Sequence, residues 1–178
     1  MARIYIITGM PGAGKEEFVN VSLRRGYRVV RMGDVVRQEA AAHGLALTDK
    51  EVGGFATDER NKYGPDIWAA RCIPLIKDYN TVIDGSRSVQ EIELFRKELG
   101  DNVRLVAIEA SPSLRYMRLK ERNRFDAPRN EDEFRQRDER ELGWGLRELI
   151  AKADTVIINE GTLEEFYQKV SEELESSW

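Results

Sequence analysis

Short apolar, β-branched runs alternate with amphipathic stretches along this chain. The runs fall at 4–8, 27–31, 81–84, 103–110 and 155–159, and polar residues bound each of them. A continuous apolar run of that length suits a strand buried on both faces, as in a parallel sheet. Helix-length segments separate the runs, so the units read as βαβ with right-handed crossovers. Helices are predicted over 14–26, closed by Gly26, and over 33–43, with Asp34 near the start. A third opens at Thr48-Asp49-Lys50-Glu51, which has the form of a capping box. A fourth runs over 65–78, opened by Pro65 and interrupted at Pro74. Others are predicted over 88–99, 112–122, 130–142 and 163–174. The expected fold class is α/β, three layers (α/β/α) with a five-stranded parallel sheet, and residues 1–178 are expected to form one domain. The connections 32–80 and 111–154 are longer than one crossover helix requires, and such insertions commonly cover ligands.

The first strand runs directly into Gly9-Met10-Pro11-Gly12-Ala13-Gly14-Lys15. Glycines let the backbone curl until successive N–H groups point at one anion. The next helix adds the positive end of its dipole, and Lys15 adds a full charge that reaches outer phosphates. The Gly-x-x-x-x-Gly-Lys spacing is complete, so a nucleoside triphosphate is the expected ligand, with magnesium as its ion. Glu16 and Glu17 stand where a metal-binding Ser or Thr usually follows the lysine. They suit the helix dipole but lie close to a polyphosphate and are expected to repel it.

Ligands of open parallel sheets bind beyond the carboxyl ends of the strands. Strand two ends in Met32-Gly33-Asp34-Val35-Val36-Arg37. Arg37 falls one turn after Asp34 on the same face. It either grips a phosphate in a bidentate fork or pairs with Asp34 or Glu39, and the spacing leaves both open. Strand three ends in Asp84-Gly85-Ser86-Arg87. Asp84 is a candidate for meeting magnesium through water, and Glu16 is a second metal candidate. Gly85 lets a ligand approach the backbone, and Arg87 is a second phosphate clamp. Asp-Gly is also a common turn, but the strand before it and the arginine after it favour a site. Residues 115–148 carry nine arginines and nine acids, so most of these charges are expected to solvate a helical surface rather than form a nucleic-acid patch. Arg118, Arg122 and Arg135 are the first candidates for closing over the phosphates, with Arg124 and Arg137 behind them. Arg60 and Arg71, in the first long connection, are further acceptor candidates. His43 reads as a helix C-cap rather than a base, and Trp144, between Gly143 and Gly145, as packing or a hinge.

The balance of 28 basic and 32 acidic residues, net charge -4, argues against a general nucleic-acid binder. The single Cys72 excludes an internal disulfide and a cysteine zinc site. No apolar stretch reaches membrane-spanning length, and the chain enters its first strand without a leader, so a reducing cytoplasm is the expected setting.

The motifs together resemble those of adenylate-kinase-related nucleoside-monophosphate kinases and dephospho-CoA kinases, P-loop proteins often labelled AAA-family ATPases. Gly9-x-Pro11-Gly12-x-Gly14-Lys15 resembles the adenylate-kinase phosphate loop. Gly33-Asp34-Val35-Val36-Arg37 resembles that family's Gly-Asp-Leu-Leu-Arg, whose arginine binds the acceptor phosphate. Asp84-Gly85-Ser86-Arg87 resembles its Asp-Gly-Phe-Pro-Arg, one residue shorter and without the proline. Residues 153–165 are similar to the ending of dephospho-CoA kinases, in which the Asn-x-Gly turn, here Asn159 to Gly161, lies beside the adenine. The resemblance implies strand order 2-3-1-4-5, an acceptor-binding insert at about 32–80 and a short lid at about 119–141. It implies ATP held by Gly9, Met10, Pro11, Gly12, Ala13, Gly14, Lys15, Glu16, Glu17, Arg122, Asn159 and Gly161. The implied acceptor is AMP or a similar nucleotide, with dephospho-CoA as the alternative, held by Gly33, Asp34, Arg37, Gly85 and Arg87. A competing reading is a nucleotide sensor or slow ATPase, motivated by Glu16 and Glu17.

Overall fold

The computed structural model describes residues 2–123 and 127–177. Five strands form one parallel sheet: β1 (Ile4–Thr8), β2 (Arg28–Arg31), β3 (Thr81–Asp84), β4 (Val103–Glu109) and β5 (Thr155–Ile158). Their order is β2-β3-β1-β4-β5, the order the family resemblance implies. The central strand β1 is buried along its whole length, as a strand covered on both faces must be.

Alternation along β1 divides its side chains between two cores. Ile4 and Ile6 join one core with Trp68, Phe95, Leu105 and Leu146. Tyr5 and Ile7 join the other with Phe18, Val106, Phe166 and Val170. The second core is closed by α1 (Lys15–Arg24) and α9 (Leu163–Glu175). The first is closed by α5 (Val89–Leu99), α8 (Leu146–Ala151) and the group α2 (Met32–Ala42), α3 (Asp49–Tyr63) and α4 (Ile67–Cys72). Two helices, α6 (Pro112–Glu121) and α7 (Glu131–Gly143), lie between β4 and α8 in the chain.

The caps follow local chemistry. Ser88 caps α5 and Thr162 caps α9, each with a reciprocal glutamate three residues on. Thr48 accepts from Glu51 N at 3.2 Å, but Glu51 returns its carboxylate to Ala46 N rather than to Thr48. His43 closes α2 and its Nδ1 meets Glu39 O at 2.8 Å, consistent with a cap. Two expectations need correction. The helix expected over 65–78 is only α4, followed by a 3-10 turn over Ile73–Leu75, because Pro74 has no N–H to continue the ladder. The sequence reading also did not anticipate α8, which starts after Gly145 turns the chain at φ 95°.

The turn after β3 is organised by Glu91, which is fully buried. It accepts from Ser86 Oγ at 2.9 Å, Arg87 N at 2.5 Å and Ser88 N at 3.2 Å, and from Arg60 Nη2 at 3.4 Å. One carboxylate therefore fixes the strand end that presents Asp84 and Arg87. Glu91→Ala takes the shared acceptor from these donors and the carboxylate from Arg60, and should lower unfolding stability by about 3 kcal/mol or more. Urea denaturation measures this, and a loss below about 1 kcal/mol would contradict the organising role.

Candidate active site

The loop between β1 and α1 curls as its composition requires. Gly12 and Gly14 sit at φ 81° and 116°, and neither has room for a side chain. A Cβ on Gly12 would stand 2.7 Å from Arg115 O, and one on Gly14 would stand 2.3 Å from Asn159 Nδ2. Gly14 also caps α1 without a side-chain partner, so the helix's first N–H groups are presented to the cavity. Lys15 folds back onto its own loop, donating to Gly9 O at 2.7 Å and Met10 O at 3.2 Å. Its pKa is lowered to about 8, first by burial and then by Arg87, against opposing contributions from Asp84 and Glu141.

Glu16 and Glu17 take different directions. Both oxygens of Glu16 accept from Arg31, at 2.9 and 3.0 Å, and Arg31 also lies 3.6 Å from Asp84 Oδ2. Burial alone would lower the Arg31 pKa, but Glu16 outweighs it and the pKa is raised. Glu17 accepts from Tyr167 on α9 at 2.6 Å. The repulsion expected from Glu16 is therefore offset by a guanidinium at the end of β2, which sequence reasoning missed. The only local signal was a charged residue ending the strand after two valines.

A cavity of about 430 Å³ lies over these strand ends, lined by the loop, Lys15, Glu16, Arg31, Gly33, Asp34, Arg37, Asp84, Gly85, Arg87, Arg122 and Arg137. Arg37 pairs with Asp34, one of the two readings left open, and it also lines the cavity. Arg87 is half-buried and donates to Glu141 of α7. Burial would lower its pKa, but Glu141 and Asp84 outweigh that and raise it. A second cavity of about 150 Å³ adjoins the first and shares Gly33, Arg37, Gly85, Arg87 and Arg137 with it. Its walls include Met32, Val36, Val52, Ala56, Trp68 and Trp144, with Arg60 among its polar groups. Trp144 was read as packing or a hinge, but it also lines this cavity. A third space, a groove of about 690 Å³, runs past Gly12, Gly14, Glu16, Glu17, Arg118, Arg122, Asn159 and Gly161.

The structure separates the remaining candidates. Arg118 reaches Asn159 O at 2.9 Å and Ala13 O at 3.5 Å, and Asn159 Nδ2 donates to Ala13 O at 2.8 Å. Arg135 lies away from the cavities, exposed and paired with Glu131 along its own helix; Arg137, two residues on, faces inward instead. Arg71 also lines neither cavity, because Glu39 and Glu59 hold it at 2.5 and 2.6 Å between α2, α3 and α4. Arg124 lies outside the described residues. Arg115, not singled out from sequence, is buried and donates to Pro11 O at 3.1 Å and to both oxygens of Asp138 at 3.0 and 2.7 Å. It ties the loop to α6 and α7.

Asp84 fits a nucleotide-borne ion, whereas Glu16 does not. Asp84 Oδ1 is buried with no hydrogen-bond partner, which suits an ion's hydration shell. Glu16 has committed both oxygens to Arg31. Among the described residues no group of three or more His, Cys, Asp or Glu forms a metal site. No helix there is long and apolar enough to cross a membrane.

A glycine loop at the end of β1, facing cations on neighbouring strand ends of a 2-3-1-4-5 parallel sheet, defines a P-loop NTPase fold. The family model described as an AAA domain matches residues 8–135. The chain belongs to the UPF0200 family. It is 46% identical to the UPF0200 protein of Thermoplasma acidophilum over 165 residues, 92% of this chain and 91% of that protein. It is 40% identical to that of Methanosarcina barkeri over 175 residues, 97% and 94% of the two chains. Among solved structures, a shikimate kinase from Bacteroides thetaiotaomicron aligns with TM-score 0.65 and 14% identity, covering 98% of this chain and 99% of that one. A gluconokinase from Sinorhizobium meliloti aligns with TM-score 0.59 and 15% identity, covering 95% and 89%. At such identities the likeness shows a shared fold.

The Lys15 environment has a pH signature. A lysine whose pKa falls from 10.5 to about 8 on folding binds fewer protons folded than unfolded between those values. Ligand-free stability should therefore rise with pH across that window, the penalty being complete below it. Lys15→Met should raise the ligand-free melting temperature at pH 7, with the difference from wild type shrinking as pH climbs towards 10.5. ATP should no longer raise the variant's melting temperature. Thermal unfolding at stepped pH, with and without ATP, measures both.

Proposed function

We propose that this chain is an ATP-dependent kinase that transfers the γ-phosphoryl group to a small phosphate-bearing acceptor of the AMP type. The observation that carries the reading is the pair of adjoining cavities that share Arg37, Arg87 and Arg137. One cavity offers loop amides and Lys15. The other joins arginines to apolar and aromatic walls, a combination suited to a phosphate attached to a flat base. Dephospho-CoA is the alternative acceptor.

In this reading the donor's outer phosphates draw Lys15 away from the carbonyls of Gly9 and Met10. The adenine lies along the groove past Arg118, Asn159 and Gly161. Arg37 and Arg87 hold the acceptor phosphate, which is already an anion, so no side chain has to remove a proton. An acceptor phosphate oxygen forms a bond to the γ-phosphorus as the bond from that phosphorus to the β–γ bridging oxygen breaks, and ADP leaves with the electron pair. Arg122 and Arg137 stabilise the charge spread over the transferred group. Magnesium carried by the nucleotide supplies neutralisation of the outer phosphates, and Asp84 is the residue to meet its water. The Arg31–Glu16 pair offsets the repulsion expected from Glu16, which supports the kinase reading over the sensor or slow ATPase motivated by Glu16 and Glu17 standing in place of the metal-binding hydroxyl.

A coupled assay of ATP with a panel of nucleoside monophosphates and dephospho-CoA tests this. Arg37→Ala and Arg87→Ala should each raise the acceptor KM by about tenfold or more, as loss of a charge-assisted hydrogen bond predicts. The KM for ATP should be little changed, and Arg135→Ala should match the wild type. Absence of transfer to every acceptor, with ATP still bound, counts against the proposal.

A further inference from the structure

Several contacts tie α7 across the acceptor cavity. Glu141, buried near the end of α7, accepts from Arg87 Nε. Asp49, at the start of α3, accepts from Arg140 at 2.9 and 2.8 Å and lies 3.9 Å from Arg137 Nε. Trp144, just beyond α7, donates to Thr57 Oγ1 at 2.9 Å. The guanidinium groups of Arg60 and Arg140 lie 4.5 and 5.7 Å from the Trp144 ring centre. Gly53 on α3 makes room for this arrangement, since a Cβ there would stand 2.9 Å from the Arg140 guanidinium carbon. The space beneath is about 150 Å³, against roughly 300 Å³ for the smallest usual ligand pockets. A nucleotide-sized acceptor would gain room in this space if α7 lifted.

The carboxylate of Glu141 occupies Arg87, one of the three guanidinium groups, with Arg37 and Arg137, common to both cavities. Burial would raise the Glu141 pKa, but Arg87, Lys15, Arg137 and Arg140 outweigh it and hold it below the usual carboxylate range, so the side chain stays ionised. We propose that Glu141 is an internal stand-in for the acceptor's phosphate, holding Arg87 until an incoming phosphate displaces it, and that this displacement unlatches α7. The inference rests on the kinase reading and deepens it, because it makes Glu141 a specificity-determining residue. A phosphate can replace the carboxylate on Arg87 and restore its charge balance. A neutral acceptor brings nothing to exchange and leaves the latch closed. Arg60 and Arg140 line the same cavity and give the displaced Glu141 new partners.

Titration calorimetry with AMP, adenosine and inorganic phosphate tests the exchange in wild type, Glu141→Gln and Asp49→Asn, with ATP as the control for an intact fold. Glu141→Gln should bind AMP and inorganic phosphate on the order of tenfold tighter, because no internal anion competes. Asp49→Asn leaves Arg87 and Glu141 untouched, so it should tighten AMP by a smaller factor. Adenosine should not bind the wild type measurably, and ATP should still bind all three. If wild type binds AMP and Glu141→Gln binds it no more tightly, the stand-in role is overturned while the kinase reading survives. Should Glu141→Gln fail to fold, Asp49→Asn decides, and affinity equal to wild type overturns the latch. If no form binds AMP or phosphate although ATP still binds, the kinase reading falls and this inference falls with it.

Discussion

Lys15 carries a positive charge that the fold has largely removed from water, set among the cations Arg87 and Arg137 and the acids Asp84 and Glu141. Its partners in the ligand-free chain are two carbonyls of its own loop, and burial and Arg87 push its pKa down. A carbonyl dipole is a weak substitute for an anion in a low-dielectric site. The cavity therefore holds electrostatic free energy that an entering polyphosphate releases, and the same excess of cations gives the site its preference for anions. The positions of Arg31, Arg37, Arg87 and Arg137 all bear on this imbalance.

A buried excess of charge persists only if the backbone around it cannot relax, and three buried polar side chains provide that rigidity. Asn159 holds Ala13 O, Arg115 holds Pro11 O and Asp138, and Glu91 holds the turn that presents Asp84 and Arg87. Asn159 and Arg115 reach across the sequence, so the loop is braced from just beyond β5 and from α6, while α5 braces the neighbouring turn after β3. The geometry for holding phosphates is thus prepared before a ligand arrives, which lowers the ordering cost of binding.

The two sides of the site are built differently. The loop side is backbone closed tightly around itself, with no space for a Cβ at Gly12 or Gly14. The acceptor side is made of long side chains on α2, α3 and α7 that meet through ion pairs. Ion pairs between helices exchange partners more readily than a packed core rearranges, since they are directional and partly solvated. This asymmetry matches a donor site of constant shape beside an acceptor site that changes partners on binding.

Much of this was legible in the chain itself, because it is local. A glycine loop needs consecutive residues, a strand needs an apolar run, and a parallel sheet brings strand ends to one edge whatever the details. Asp84, Arg37 and Arg87 reach that edge by being the residues with which β2 and β3 end or which follow them. The helix opening at Ser88 was also readable, although the capping box with Glu91 and the buried hub that Glu91 makes were not. What only the tertiary structure decided is which way side chains face when helices settle. Arg135 and Arg137 differ by two positions, about 200° around a helix, and only the packing of α7 chose Arg137 for the cavity and left Arg135 in water. Likewise Glu16 and Arg31 meet only because α1 crosses back over the end of β2. No spacing rule encodes that contact, since it depends on how two elements dock rather than on either one's own pattern.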